Sequence, residues 1–520
     1  MNGCPCISVL TAIPVIGAVV VLLARNRNRR MTRWLALGFS LLSLAMTLLI
    51  WHYFNSASGA MQFQEQHAWV AMLGAEYRVG IDGLGLLMLL LSAIVVPIAM
   101  AASWQIEDRV PLYFSLVLLL QACLFGTFTA LNFFHWFIFW ELGLIPAFFL
   151  IKIWGGPKRT AAATQFLVYT MVGSVAMLLS FLALFLAVHT FDFATLAQLA
   201  QGGQLMPAVV AKLSTHRLIP HHLAMWIFAG VFLGFAVKVP ILPFHTWLPI
   251  AYSEAPTGTT ILLTGAMSKM GLYGILRILL PIFGEQMQRV STPLLWMAVA
   301  TIVLSGYSAL AQKDMKRIFA YSSINHLGYC LLAIFAVVKF TGNDAGLLTQ
   351  KYAAMNGAML QMFNHGLTAA AVFWFIALLE KRSGGLQGRN DFGGLRKVVP
   401  VMAGLMGIAL FSSLGLPGLN GFVGEFLIFK GVFPLAGWAA ALSVLGLLVT
   451  AVFILGVIQR VFTGQLNPRW AAMPDLTTAE RMALAPVIAL MFAVGLYPQM
   501  LLAMVNSTAM QIVQQVRLAF

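Results

Sequence analysis

Residues 231–250 read VFLGFAVKVPILPFHTWLPI, an apolar run that carries one lysine, Lys238, followed by Pro240, Pro243 and His245. About 20 predominantly apolar residues is the length a helix needs to cross the hydrocarbon of a bilayer. A lysine at mid-helix costs about 2.5–3.5 kcal/mol there, even on the mildest insertion scale. A proline removes a backbone donor and unseats the carbonyl one turn back. In lipid the freed groups must be met by protein or water. A broken helix at membrane depth, beside an ionisable side chain, is how transporters build a mid-membrane ion site. The stretch therefore predicts a membrane protein with a buried ion path.

The rest of the chain agrees. Of its 520 residues 60% are hydrophobic and only 9% charged, and the mean hydropathy is +0.88. A soluble domain would carry roughly a quarter charged residues. Apolar segments long enough to span lie near 7–24, 32–54, 83–103, 112–130, 132–153, 164–189 and 222–250. Seven more follow near 257–282, 291–311, 317–340, 352–379, 399–430, 432–462 and 479–505. The longest polar stretches, 191–220 and 380–397, are too short to bury a core of their own. The expected fold is an all-α polytopic membrane protein, one membrane domain over residues 1–520, with about fourteen transmembrane helices.

The net charge of +15 does not mark a nucleic-acid binder, because the basic residues sit in short loops between apolar runs. With the N-terminus placed outside, loops after odd-numbered helices hold 20 of the 31 lysines and arginines and the opposite side holds 7. The remaining four, Lys238, Lys269, Arg277 and Lys430, fall within apolar segments. That bias fits the positive-inside rule with fourteen spans, and the expected location is a prokaryotic inner membrane, crossed many times, with the N-terminus outside. The first segment lacks a basic region before it and a small-residue cleavage site after it, so a retained helix is expected. Cys4, Cys6, Cys123 and Cys330 match no zinc or iron–sulfur spacing and read as apolar filler.

Four charges stand where the bilayer punishes them. Glu141 lies in FHWFIFWELGLIPAFFLI, Lys238 in FAVKVPILPFHTWLP, Lys269 in ILLTGAMSKMGLYG and Glu425 in LPGLNGFVGEFLIF. Ionisable residues in such segments mark ion pathways and proton relays. Glu425 also follows Gly415, Pro417, Gly418, Gly421 and Gly424, so its helix should be broken like that of Lys238. Arg277 and Lys430 lie nearer helix ends, where a long side chain can reach the headgroups.

Position repeats along the chain. Glu141 and His326 are 185 residues apart, and Lys238 and Glu425 are 187 apart. These are predicted helices 5 and 10, then 7 and 12. A shift of five helices reverses the direction of travel, so residues 112–282 (helices 4–8) and 291–462 (helices 9–13) should be inverted five-helix repeats, with helices 7 and 12 broken. The match is one of position and helix breaking, not of residue identity.

Three histidines, His245, His326 and His365, fall near these charges, and imidazole can both give and take a proton near neutrality. His135 stands beside aromatic residues at a helix start and reads as interfacial, while His221 and His222 read as loop residues. Moving one charge across 100 mV costs about 2.3 kcal/mol. One pKa unit is about 1.36 kcal/mol, so a carrier whose pKa swings by about two units supplies that work. A Glu141–Lys238 pair that opens and closes would be adequate as such a switch. The sequence carries no G-x-G-x-x-G after a strand, no P-loop, no cysteine cluster and no bis-histidine haem pattern, so the energy must come from a gradient or from partner subunits.

The stretches WELGLIPAFFLIKIWGG, FAVKVPILPFHTWLP, EAPTGTTILLTGAMSKMGLYGILR, DMKRIFAYSSINHLGY and LPGLNGFVGEFLIFKG resemble those of the proton-pumping, antiporter-like membrane subunits of respiratory complex I. That family is related to the Mrp-type sodium/proton antiporters and to membrane hydrogenase subunits. The resemblance runs from about residue 80 to the GLYPQ near 495. Glutamate at Glu425 resembles the subunit M (subunit 4) branch, where the L and N branches usually carry lysine. Asn325-His326-Leu327-Gly328-Tyr329 departs from a common S-H-M-G-F, and Ser268 replaces a small apolar residue; neither change removes an ionisable group.

The resemblance implies roles. Glu141 and Lys238 correspond to the switching pair, Lys269 to the central relay and His326 and His365 to the connecting histidines. Glu425 corresponds to the outlet-side carrier, and His245 to the histidine after the broken helix. It also implies L-, N- and K-like neighbours in an NADH:quinone oxidoreductase-type complex. NADH, FMN, iron–sulfur clusters and quinone would be bound by those partners and no cofactor by this chain. A Mrp-type cation/proton antiporter subunit, or a subunit of a hydrogenase or carbon-dioxide-hydrating complex, is the alternative expectation.

Overall fold

The computed structural model describes residues 5–24, 28–70, 75–213, 220–339 and 345–518. Cys4, Arg25, Arg27 and Arg217 lie outside the described residues, as do the side chains of His221 and Arg517. The chain opens with α1 (Cys6–Leu23) and α2 (Arg29–Tyr53), then a hairpin of β1 (Gln62–Val70) and β2 (Ala75–Ile81). Next come α3 (Gly83–Ala102), α4 (Val110–Thr129), α5 (Phe133–Leu142), α6 (Leu144–Trp154) and α7 (Arg159–Val188). Short helices α8 (Phe193–Gln201) and α9 (Leu205–Leu213) lead to α10 (Pro220–Lys238) and α11 (Trp247–Glu254).

The following span is segmented. It comprises α12 (Thr257–Leu262), a π turn (Leu263–Met267), α13 (Lys269–Gly274), a second π turn (Ile275–Leu279) and α14 (Leu280–Arg289). Then follow α15 (Ser291–Ala311), α16 (Met315–Lys339), α17 (Ala345–Ser383), α18 (Pro400–Leu414) and α19 (Asn420–Leu435). The chain closes with α20 (Gly437–Val461), α21 (Thr478–Leu496) and α22 (Gln499–Leu518).

Among the described residues, twelve helices are long and apolar enough to cross a membrane. His222–Lys238 and Pro400–Leu414 are apolar but too short alone. Each continues, after a break, into α11 or α19, so the interruptions fall where the prolines and glycines predicted them. At the first break the Trp247 indole donates to the Val237 carbonyl at 3.0 Å, and the Leu242 amide donates to the Thr301 hydroxyl at 3.1 Å. Both are protein partners for backbone groups that the prolines leave outside the helical ladder. At the second break Gly415 and Gly418 adopt positive φ, +81° and +94°, a conformation that only glycine takes without cost.

α3, α12, α13, α16 and α17 form the buried centre, with α1, α2, α7, α20 and α21 outside. The outer helices expose Val172, Leu179, Leu448 and Leu496, apolar surface suited to lipid or to a neighbouring membrane subunit.

The helical membrane class holds, with one addition and two corrected boundaries. The addition is a hairpin in which β1 and β2 pair antiparallel, with Gln66 opposite Arg78 and Ala68 opposite Glu76. Glu65 of this hairpin accepts from the Ile7 amide at 2.7 Å and so satisfies a donor at the start of α1. The expected helix 479–505 is two helices, because Tyr497, just before Pro498, leaves helical geometry (φ −131°, ψ 67°). The segment 352–379 is the middle of the longer α17.

Candidate functional site

Lys269 opens α13 between the two π turns and is fully buried. Short π segments inside helices recur at functional sites. Here the π turn sends the Ser268 amide to the Leu263 carbonyl (3.0 Å) rather than to that of Thr264. The Thr264 carbonyl accepts instead from Lys269 Nζ at 2.5 Å and from the Ser268 hydroxyl at 2.9 Å.

From Lys269 a chain of side chains runs across the centre of the molecule. Lys269 Nζ meets His365 Nδ1, on α17, at 2.7 Å. The ring of His365 lies 5.4 Å from that of His326, on α16, tilted by 35°. His326 Nδ1 meets Glu425 Oε1 at 3.0 Å, and its Nε2 meets the Ser413 hydroxyl at 3.1 Å. Gln361 donates to the same Glu425 oxygen at 3.1 Å. All four ionisable groups are buried. Their hydrogen bonds tie the proton positions together. An ammonium only donates, so while Lys269 is charged His365 Nδ1 must accept; a carboxylate only accepts, so while Glu425 is ionised His326 Nδ1 must donate. A change of protonation at one end therefore changes which proton positions are open to the ring beside it.

The second helix break holds Glu425 in place. Asn364 donates to the Asn420 carbonyl at 2.6 Å, and Asn420 donates back to the Asn364 carbonyl at 3.1 Å and to the Thr368 hydroxyl at 3.2 Å. The Ser412 hydroxyl donates to Asn420 Oδ1 at 2.6 Å. This knot ties both sides of the break to α17. A side-chain carbon at Gly421 would stand 1.9 Å from the Ser412 carbonyl oxygen, so only glycine fits that crossing. A cavity of about 20 Å³, lined by His326, Gln361, His365 and Glu425 among others, lies beside the knot. That is room for one water molecule.

The Lys238 end is separate. Lys238, the last residue of α10, is buried with its amino nitrogen 4.6 Å from the Trp140 ring centroid. Glu141 is within electrostatic reach of it, but the two form no ion pair within 4.0 Å among the described residues. Towards Lys269 the contact is apolar. Phe235 and Val239 pack so closely on Gly274 and Gly271 that added side-chain carbons there would stand 2.1 and 2.5 Å from them. Among the described residues no hydrogen bond links Lys238 to Lys269.

His245 lies in the first break, half-buried, with its ring 6.3 Å from Tyr321 and outside the Lys269–Glu425 chain. Arg277 does not reach for the headgroups as expected. It is mostly buried and paired with Asp82, the residue that caps α3 by accepting from the Gly85 amide at 3.0 Å. Lys430 is exposed. His135 is buried rather than interfacial, its ring 4.8 Å from Tyr77 of the hairpin. Cys123 and Cys330 are buried, and among the described residues no group of three or more His, Cys, Asp or Glu could hold a metal ion.

Sequence reasoning missed Gln361, Ser413, Asn364 and Asn420, because an uncharged polar residue in an apolar segment carries little signal. It also missed the pairing of buried Lys316 with Glu380 at 3.5 Å. Lys316 is the second residue of α16, next to a loop, where a basic residue reads as an ordinary loop charge.

Comparison with known proteins agrees with this architecture. Residues 130–453 match the family described as NADH:quinone oxidoreductase/Mrp antiporter, TM, a span that includes every candidate residue. The chain is 33% identical over 518 residues to NADH-quinone oxidoreductase subunit M of Rhodobacter capsulatus, covering 98% of this chain and 96% of that one. It is 35% identical over 526 residues to F(420)H(2) dehydrogenase subunit M of Methanosarcina mazei, covering 98% of each. Among solved structures it is similar to a chain of respiratory complex I from Thermus thermophilus with bound NADH, with a TM-score of 0.82, 26% identity and coverage of 98% and 99%. Buried charges, broken helices and relatives together place the chain in the NADH:quinone oxidoreductase/Mrp antiporter membrane family.

Proposed function

We propose that this chain carries protons across the membrane as the M-type subunit of an NADH:quinone oxidoreductase-type complex. The observation that carries the reading is the row from Lys269 to Glu425, hydrogen-bonded at each end (Lys269–His365 and His326–Glu425) with the two imidazole rings side by side, 5.4 Å apart, between. Amine, imidazole and carboxylate all exchange protons with hydrogen-bonded neighbours, and here they are adjacent and shielded from bulk water. Lys269 serves as central relay, the two histidines as connectors and Glu425 as the outlet-side carrier. Glu141 and Lys238 form the switch at the other end. Their lack of a direct ion pair in this structure supports an open state of the switch, and apolar Phe235 and Val239 stand between it and the helix of Lys269. His245 is assigned to the Lys238 end of the path.

In this reading no redox group belongs to this chain. Electrons from NADH pass through FMN, iron–sulfur clusters and quinone in partner subunits, and L-, N- and K-like neighbours cover the exposed apolar faces. The N-terminus lies outside a prokaryotic inner membrane, and residues 112–282 and 291–462 act as inverted halves. The energy reaches the chain through its neighbours as changes in the Glu141–Lys238 electrostatics.

The test uses the whole complex, purified from its membrane and placed in liposomes, with protons moved per electron measured by a pH-sensitive dye. Lys269→Met should remove this subunit's share while the complex stays assembled; an unchanged ratio would overturn the reading. Sodium-driven acidification without NADH would instead favour a cation/proton antiporter.

A further inference from the structure

The relay from Lys269 to Glu425 has no obvious supply, since its contact with the Lys238 end is apolar. A polar route reaches Lys269 from another direction. The helix that bears it starts at Thr257 and carries hydroxyls at Thr257, Thr260, Thr264 and Ser268. Spacings of three, four and four bring successive hydroxyls roughly one turn apart, about 5–6 Å in regular helix, with the π turn at Leu263–Met267 altering the last steps. Over twelve residues this stripe spans about 18 Å, half or more of the hydrocarbon thickness.

Each rung is buried and held. Thr260 donates to the Tyr252 carbonyl at 2.9 Å. Thr264 shares a hydrogen bond with Ser323 at 3.0 Å. The hydroxyl of Tyr252 lies beside Thr264 and Ser268, and Lys269 Nζ reaches the Ser268 hydroxyl at 3.4 Å. A hydroxyl keeps two lone pairs and one proton, so each rung can take a proton on one side and release one on the other, with a water between rungs.

At the far end Thr257 donates to Glu380, in the last turn of α17. The Glu380 side chain is 17% exposed and therefore reachable by water. Buried Lys316 stands 3.5 Å from it and also donates to the Ala255 carbonyl at 2.8 Å. Asp314, in the loop before α16, lies within electrostatic reach of Glu380, and burial holds its carboxyl above the usual range. Beside it an open surface depression is lined by Glu254, Lys313, Asp314 and Arg317. The face is the one bearing the lysine- and arginine-rich loops.

We propose that Glu380 is the proton acceptor at this face, and that the hydroxyls of Thr257, Thr260, Thr264 and Ser268 deliver the proton to the amine of Lys269. Glu380 gives up the proton of its carboxylic acid to become carboxylate, the hydroxyls and waters exchange one proton each, and neutral Lys269 becomes ammonium. Buried Lys316, 3.5 Å away, stands as counter-charge beside that carboxylate. The inference rests on Lys269 being the central relay.

Glu380→Gln, Glu380→Asp, Thr264→Val and Lys269→Met, each in the whole complex in liposomes, test it by protons moved per electron. Lys269→Met defines the share carried by this subunit. Glu380→Gln and Thr264→Val should lose that same share, and Glu380→Asp should restore it. If Lys269→Met has no effect, the relay reading itself fails. If Lys269→Met removes the share while Thr264→Val and Glu380→Gln keep it, the hydroxyl route is overturned. Should Glu380→Gln fail to assemble, Thr264→Val decides, because it removes only a hydroxyl from an uncharged position. A merely structural Glu380 would not be distinguished by charge: in that case Glu380→Gln in assembled complex keeps the share, which also overturns the proposal.

Discussion

His326 and Glu425 meet at 3.0 Å, although one comes from the continuous helix α16 and the other from beyond the break that separates α18 from α19. The same Glu425 oxygen takes a hydrogen bond from Gln361. An amide in place of the carboxylate would keep the shape and lose the ionisation. Glu425→Gln should assemble normally and lose this subunit's share of proton movement. Vesicles that acidify at the full proton-to-electron ratio would contradict the role given to Glu425.

Among the described residues, His365 is the side chain from another helix that hydrogen-bonds to Lys269 Nζ. Glutamine there preserves a polar contact but cannot carry a proton. His365→Gln should therefore cut transport as deeply as Lys269→Met, and the double variant should be no worse than either single one, as expected of residues acting in one network. Additive losses would mean that the two act on separate routes.

Glu141 and Lys238 are neighbours without a direct ion pair. Glu141→Gln or Lys238→Ala should abolish the subunit's share of proton movement while the complex still copurifies intact. Full pumping in either variant would rule out the switch.

Asp82 and Arg277 form a buried pair, 3% and 11% exposed at their side chains. Removing one partner of a buried pair strands the other charge and typically costs about 3–5 kcal/mol. Asp82→Ala should lower the melting temperature of the detergent-solubilised complex markedly. Asp82→Leu together with Arg277→Met should recover most of the loss, and a double variant as unstable as the single one would contradict this account.

Gly421 sits where α19 crosses the end of α18. A methyl group there must push backbone apart, and overpacking of this sort costs about 1–3 kcal/mol. Gly421→Ala should lower both stability and proton movement, since the knot of Asn364, Ser412 and Asn420 positions Glu425. A variant with unchanged melting and transport would show that the crossing relaxes easily.

The membrane class and the two helix breaks were legible in the sequence, because long apolar runs, prolines and glycines act locally. The proximity of Lys269, His365, His326 and Glu425 could only be guessed from chemistry, since it depends on how α13, α16, α17 and α19 pack. The hairpin escaped notice because QFQEQHAWV alternates too weakly beside stronger helical signals. Arg277 was misread because its partner, Asp82, is 195 residues earlier and lies at the start of a different helix. The π turns around Lys269 left no pattern that distinguishes them from ordinary helix.

The cavity beside Glu425 has room for about one water molecule. A metal cation arriving there would have to shed nearly its whole shell of waters to fit. A proton needs no such room, because it crosses by changing owner between atoms that stay where they are. If the proposed path runs here, crowding favours protons over metal ions, and Gln361→Ala should let sodium leak into liposomes before it speeds proton movement.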